Sequence, residues 1–151
     1  MALLCFGFVS VAPAASVDGI PIHSTVHGKG PKTIVFVHGW TCDETSWDAQ
    51  VPAFEKEYRV ITLDLPGHGK SGSPKTGALT MDMFAKAIEA VRVEAGAGKI
   101  VLVGHSMGTP VIRQLRVIYS DNERPVEASV LIKGGHLYEL LYRQTAAPEP
   151  G

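Results

Sequence analysis

Short runs of apolar and β-branched residues alternate along the chain with segments of helical periodicity. The runs lie at residues 33–37, 60–63, 100–103 and 128–132, and they lack the apolar–polar alternation of a strand with one solvent-exposed face. We therefore predict four strands that are buried on both faces, as in a parallel sheet. Because other elements separate these runs, the pattern predicts an α/β fold with a mostly parallel, twisted sheet flanked by helices.

The segments between these runs predict helices and an opening hairpin. Residues 79–95 place apolar side chains at a spacing of three and four, with Thr80 as N-cap, and predict a helix that faces the core. Residues 45–58 predict another helix, which Pro52 breaks or kinks. Residues 16–28 contain an Asp-Gly pair and predict a short hairpin around a type I′ turn.

The third run ends at a serine on a sharp turn, which carries the main chemical prediction. Residues 104–108 read GHSMG, and a helix-compatible segment follows to about Tyr119. A strand–turn–helix of this kind raises the Ser106 hydroxyl above the sheet and directs the first N–H groups of the helix toward it. A side chain at Gly104 or Gly108 would collide with the neighbouring strand or helix. An incidental serine in an ordinary turn is the alternative, and the flanking elements argue against it.

Two further motifs follow the neighbouring strands. His38-Gly39-Trp40 comes directly after the run at 33–37, and residues 64–71 read DLPGHGKS after the run at 60–63. Together with GHSMG, these motifs resemble the oxyanion loop, a tight glycine loop and the nucleophile elbow of the α/β-hydrolase family. The resemblance covers nearly all of residues 16–135 and implies the α/β-hydrolase fold.

The resemblance also implies a role for each motif residue. Ser106 is the nucleophile, and the backbone N–H groups of Trp40 and Met107 form the oxyanion hole. His38 braces the oxyanion loop and Asp64 has a structural role, because the acid and base of this family follow the serine in the chain. Trp40 and Trp47 are candidates for lining the acyl pocket, with packing the simpler role for Trp47. The full set of supporting residues comprises His38, Gly39, Asp64, Gly104, His105 and Gly108.

These roles imply a serine hydrolase that acts on a small ester or another acyl substrate through an acyl-enzyme on Ser106. A serine at this position argues against dehalogenase or epoxide-hydrolase chemistry, for which related members use an aspartate. A cofactor-free perhydrolase or C–C bond hydrolase shares the same elbow and stays open as an alternative. No cofactor or metal is implied, because the sequence contains neither an H-E-x-x-H motif nor a close pair of ligands.

The residues after Ser106 include one histidine that could act as the catalytic base. His136 is the one histidine after Ser106, but its acid partner would be Glu123 or Glu127, which flank the far end of the last strand. We therefore rank His136 as a secondary candidate, and the resemblance places the family's acid and histidine beyond this sequence. The sequence predicts the N-terminal half of a hydrolase domain at residues 15–135, C-terminally truncated, and a tail at residues 136–151.

Truncation suggests a second hypothesis from another class of function. A chain without its histidine loop would be a catalytically inactive fragment or remnant. Its last strand would form an exposed apolar edge, so self-association through that edge is expected. Reactivity of the serine with a phosphonate probe distinguishes an enzyme from a remnant.

The N-terminus and the composition bear on location and partners. Residues 1–14 are apolar and end in Ala-Pro-Ala, which fits an incomplete signal peptide without its basic region, with a buried strand as the alternative. Such a signal implies export to the periplasm or the medium, and without it the protein would be cytoplasmic. Fourteen basic and fifteen acidic residues offer no basic surface for nucleic acid, and no apolar run is long enough to span a membrane. Cys5 and Cys42 do not make a disulfide framework, and we interpret Cys42 as a bystander.

Overall fold

The computed structural model describes residues 14–119 and 130–132. The predicted signal peptide except Ala14, the acids Glu123 and Glu127, His136 and the tail lie outside this part of the chain. In chain order the elements are β1 (Ser16–Val17), β2 (Ile20–Pro21), β3 (Ser24–His27), β4 (Thr33–Val37), a 3₁₀ helix (Glu44–Trp47), α1 (Val51–Phe54), β5 (Arg59–Leu63), α2 (Met81–Glu94), β6 (Ile100–His105), α3 (Gly108–Tyr119) and β7 (Val130–Ile132).

The main sheet contains five strands in the order β3-β5-β4-β6-β7. β4 pairs in parallel with both β5 and β6, and β6 pairs in parallel with β7, whereas β3 is antiparallel to β5. Val37 at the end of β4 lies opposite Leu63 of β5 and Gly104 of β6. Because parallel strands in this register end at one edge, the segments that follow them meet there, which is where α/β folds bind ligands. The sheet therefore brings the three sequence motifs together.

The side chains of β4 alternate between two cores. Val35 and Val37 lie in the larger core, which α2 and α3 cover on one face of the sheet. Ile34 and Phe36 lie in a smaller core on the other face, and Trp47 of the 3₁₀ helix completes it. All five residues of β4 are buried, as a strand covered on both faces requires.

Several predicted elements are confirmed. β4, β5 and β6 form the sheet centre, and β7 lies beside β6. α2 begins after Thr80, whose Oγ1 accepts a hydrogen bond from the N–H of Met83 at 3.2 Å. β1 and β2 form a hairpin through Asp18 and Gly19, whose φ angles of 51° and 78° are those of a type I′ turn.

Two predictions about local structure are wrong in detail. Residues 45–58 do not form one helix, because the structure divides this region into the 3₁₀ helix and α1, and Pro52 lies in the first turn of α1. Proline is tolerated there because its missing N–H would have no helical partner. The hairpin is also shorter than predicted, since β3 is a separate strand that pairs with β5 in the main sheet.

None of the helices in the described ranges is long and apolar enough to cross a membrane.

Candidate active site

Ser106 lies at the apex of the turn between β6 and α3. Its side chain is exposed, and its backbone has a φ of 51°, in the left-handed region that non-glycine residues rarely occupy. A backbone of this kind costs on the order of 1–3 kcal/mol and persists only where the surrounding structure imposes it. The turn therefore presents the hydroxyl away from the core at a cost in conformational strain.

The two glycines of the elbow allow β6 and α3 to come this close. A Cβ at Gly104 would lie 2.8 Å from both the backbone of Gly108 and the side chain of Ile112. A Cβ at Gly108 would lie 2.4 Å from the carbonyl oxygen of Val37 at the end of β4. Both distances are below any real Cβ contact, so any side chain at either position would displace the backbone.

The loop after β4 packs directly against the elbow. A Cβ placed on Gly39 would lie 3.2 Å from the Cβ of Ser106 and 3.1 Å from Nδ1 of His105. Trp40 follows with its side chain 55 % exposed, and Thr41 turns the chain with a φ of 60°. The peptide that joins Gly39 to Trp40 is thus a near neighbour of the serine.

Two backbone N–H groups beside Ser106 have no acceptor among the described residues. Within 14–119 and 130–132, neither the N–H of Trp40 nor that of Met107 donates a hydrogen bond. Both residues belong to turns at the carboxyl edge of the sheet, and Met107 immediately precedes α3. Such N–H groups stabilise negative charge on a nearby oxygen.

His38 is fully buried and uses both ring nitrogens. Its Nε2 accepts a hydrogen bond from the N–H of Leu65 at 2.9 Å, so the proton resides on Nδ1, which donates to the carbonyl of Gly39 at 2.7 Å. Burial lowers the pKa of His38 below its ordinary value, although the bond to Gly39 favours the protonated ring. A neutral ring with both nitrogens engaged braces the loop and has no nitrogen left to serve Ser106 as a base.

Asp64 and Ser71 fix the loop after β5. The carboxylate of Asp64 accepts from the N–H of Glu44 at 2.7 Å and from the N–H of Lys70 at 2.8 Å. The hydroxyl of Ser71 donates to the carbonyl of Asp64 at 2.6 Å and accepts from the N–H of His23 at 2.8 Å. Each Asp64 carboxylate oxygen is therefore used in holding backbone.

Glu44, which the sequence did not single out, is the centre of a polar cluster beneath this loop. One carboxylate oxygen accepts from Thr25 at 2.7 Å and Thr62 at 3.1 Å, and the other accepts from His23 at 2.8 Å and Lys70 at 3.0 Å. Burial by itself raises the pKa of Glu44, but these four hydrogen bonds outweigh it and lower the pKa to about 2. Its donors come from other elements, so no local sequence pattern could reveal them.

The same cluster has the ligand types of a metal site. His23, Glu44 and Asp64 bring one ligating atom each within 4.8 Å of one another. All the carboxylate oxygens already accept hydrogen bonds, and the ammonium of Lys70 already supplies a positive charge to Glu44. We therefore describe the cluster as a hydrogen-bonded network and assign no metal to it.

Trp47 packs in the core, whereas a small cavity opens beside it. The ring of Trp47 is 3 % exposed and lies 4.7 Å from that of Phe36, centroid to centroid. The cavity, of about 180 Å³, is lined by Cys42, Ser46, Trp47, Gln50 and His105. Ser106 is not part of its lining, so the cavity is not assigned as the acyl pocket.

The structure brings most of the candidate residues together, whereas one of them lies outside the described part of the chain. Most of the candidate residues meet at the carboxyl edge of β4 and β6: Ser106, Trp40, Met107, His38, Gly39, His105 and the elbow glycines. Asp64 lies in the adjoining loop after β5. His136, the secondary candidate for the base, lies outside the described residues. His68 belongs to the DLPGHGKS motif, whose pattern indicates no role for it, and only the tertiary structure shows its contacts with the oxyanion loop.

Comparison with known proteins identifies the family. A family model described as alpha/beta hydrolase fold matches residues 32–147. The dihydrolipoyllysine-residue acetyltransferase component of the acetoin cleaving system of Cupriavidus necator is 38% identical over 103 residues, which are 68% of this chain and 27% of that protein. The bifunctional esterase/perhydrolase DCH of Acinetobacter calcoaceticus is 35% identical over 117 residues, covering 76% of this chain and 41% of that protein.

Solved structures agree with this assignment. An esterase from Thermogutta terrifontis superimposes with a TM-score of 0.64 at 34% identity, covering 72% of this chain and 40% of that one. The relatives also include epoxide hydrolase 3 of Mus musculus, which is 31% identical over 114 residues, covering 74% of this chain and 30% of that protein. The chain spans 27% to 41% of the length of the three relatives described above. The sheet, the helices and the matching family model together show that this chain belongs to the α/β-hydrolase family.

Proposed function

We propose that the chain carries the nucleophile and the oxyanion hole of a serine hydrolase for small esters or related acyl substrates. The observation that carries this proposal is Ser106, an exposed hydroxyl held on a left-handed turn against the Gly39–Trp40 peptide. Relatives described as an esterase/perhydrolase and as an esterase support acyl chemistry. Epoxide hydrolases also occur among the relatives, but a serine rather than an aspartate at the apex favours acyl transfer.

In the proposed reaction, Ser106 Oγ bonds to the acyl carbon and its proton passes to a base. The carbonyl electron pair moves onto oxygen, and the N–H groups of Trp40 and Met107 stabilise the resulting charge. Collapse of this intermediate breaks the bond to the leaving alcohol, which takes up the proton. Water then attacks the acyl-enzyme, releases the acid and returns the proton to Ser106. Each oxyanion donor contributes roughly 3–4 kcal/mol to lowering the barrier, judged by deletions of such groups.

His136 stays the candidate base, and its contact with Ser106 is a prediction. Ser106 without a positioned base is a weak nucleophile, because its hydroxyl is almost entirely protonated near neutral pH. We therefore expect slow reaction wherever His136 does not reach Ser106. Export through residues 1–14 and self-association through the β7 edge also remain predictions.

Covalent labelling with a fluorophosphonate, read by intact mass, tests the proposal. We expect slow addition of one phosphonyl group to the native chain and to Ser73→Ala, a matched control at another exposed serine. Ser106→Ala should show no adduct. An equal loss in His136→Ala would make His136 the base. No labelling of the folded native chain, or labelling that persists in Ser106→Ala, would support the inactive remnant instead.

Perhydrolase activity is the second candidate, and the esterase/perhydrolase relative favours it. It uses the same acyl-enzyme, with hydrogen peroxide in place of water as the attacking group. Comparing peracid formation with ester hydrolysis for the same acyl donor separates the two activities. If the rate of peracid formation exceeds the rate of ester hydrolysis and both depend on Ser106, the enzyme is a perhydrolase.

A further inference from the structure

The direction of the Trp40 N–H is set through the peptide that Trp40 shares with Gly39. A trans peptide is planar, so its C=O and N–H point in opposite directions. Nδ1 of His38 donates to the carbonyl oxygen of Gly39 at 2.7 Å, within the buried interior. Holding that carbonyl therefore also holds the opposite N–H, the group proposed to face the oxyanion.

His68 contacts both residues that flank this peptide. Its ring centroid lies 5.2 Å from that of His38 and 5.2 Å from that of Trp40, against which it packs edge to face at 78°. His68 is 8 % exposed although it belongs to a loop, whereas Trp40 is more than half exposed. Within residues 14–119 and 130–132, His68 supplies the aromatic contact of the indole.

The loop that carries His68 is itself rigidly held. Nδ1 of His68 lies 3.0 Å from the carbonyl of Pro66, and the N–H of Gly67 donates to the carbonyl of Gly72 at 2.8 Å. The His68 ring also packs edge to face against Phe84 of α2, with centroids 5.9 Å apart. The imidazole is therefore a fixed support between the helix and the oxyanion loop.

We propose that His68 is a positioning residue for the oxyanion hole, acting through Trp40 and His38. Its ring limits motion of the Trp40 indole and of the His38 ring, so the Gly39–Trp40 peptide keeps the plane that directs its N–H toward Ser106. The catalytic part of this inference rests on the proposed function, while the restraint on Trp40 stands on ring contacts alone. A displacement of about 1 Å at such a donor can lower a rate about 100-fold.

Three variants separate positioning from simple core filling. His68→Leu removes the ring and keeps an apolar side chain, while His68→Phe keeps an aromatic ring at the same place. Val91→Ala is the control for stability, because Val91 is buried on the core face of α2 and belongs to the larger core. A Trp47→Phe background leaves Trp40 as the sole tryptophan for fluorescence.

Two readouts are measured on each variant: the anisotropy decay of Trp40 and the rate of phosphonylation of Ser106. We expect His68→Leu to increase the fast depolarisation of Trp40 and to slow phosphonylation at least about tenfold without changing the probe concentration at half-saturation. His68→Phe should restore both values to within about threefold of the native chain. Val91→Ala should lower the melting temperature and change neither readout.

The outcomes that oppose the inference are separate from failure of the proposed function. The positioning role is overturned if His68→Leu keeps the anisotropy decay and the phosphonylation rate of the native chain. It is also overturned if Val91→Ala changes both readouts as much as His68→Leu does, or if His68→Phe does not restore them. If the native chain is not phosphonylated, the proposed function fails, and the anisotropy decay alone then decides whether His68 restrains Trp40.

Discussion

Replacing Glu44 by glutamine should reveal how strongly the polar cluster stabilises the fold. The carboxylate accepts four hydrogen bonds while only 11% of the side chain is exposed, and its pKa falls from 4.5 to about 2. A shift of that size corresponds to about 3 kcal/mol of stability at neutral pH. Glu44→Gln removes the charge and turns an amide N–H₂ toward hydrogen-bond donors. The free energy of unfolding of this variant should therefore be lower than that of the native chain by a similar amount.

The pH dependence gives the sign of this contribution. Between pH 4.5 and about 2 the unfolded chain binds a proton at Glu44 that the folded chain does not, so stability rises with pH in this window. The contribution is complete above pH 4.5 and is lost as pH falls toward 2. The stability difference between the native chain and Glu44→Gln should therefore shrink by about 2 kcal/mol from pH 7 to pH 3.

Urea unfolding at pH 7, 4 and 3, followed by tryptophan fluorescence, measures these free energies. Glu89→Gln is the matched control, since Glu89 forms an ion pair with Arg92 on α2, three residues away. This pair is partly exposed, and a pair at this spacing on a helix contributes about 0.2–0.5 kcal/mol, so this variant should differ little from the native chain. The reasoning is wrong if the native chain and Glu44→Gln lose stability in parallel on acidification.

Two further comparisons, each between a pair of variants, test the elbow. Ser106→Gly should be more stable than Ser106→Ala by about 1 kcal/mol, because glycine adopts a φ of 51° without strain and both variants lack the hydroxyl. Equal melting temperatures of the two variants would show that the turn stores no strain. Gly108→Ala should destabilise by more than about 3 kcal/mol, since its Cβ would lie 2.4 Å from the Val37 carbonyl. Gly98→Ala, where no atom lies within 4 Å, should differ from the native chain by less than about 1 kcal/mol, and similar losses in both variants would show that crowding is not the cause.

Local patterns predicted the elements whose cause is local. β4 is a run of five buried residues, and Thr80 provides the cap that begins α2, so both could be read without knowledge of the fold. The Asp-Gly pair predicted its turn for the same reason, since few residues adopt two successive positive φ angles. Prediction failed in residues 45–58, where short helices depend on packing of Trp47 and Val51 against the sheet rather than on their own propensity.

The sequence by itself determined the order of strands and helices, the sharp turn at Ser106 and the family, because each depends on neighbouring residues or on motifs of fixed spacing. Only the tertiary structure decided which residues support those motifs. Glu44 draws its four hydrogen bonds from positions 18 to 26 residues away, and His68 meets Trp40 only because β4 and β5 end at the same edge of the sheet. Contacts between distant segments arise from strand pairing and burial, and no pattern within either segment encodes the partner that it will meet.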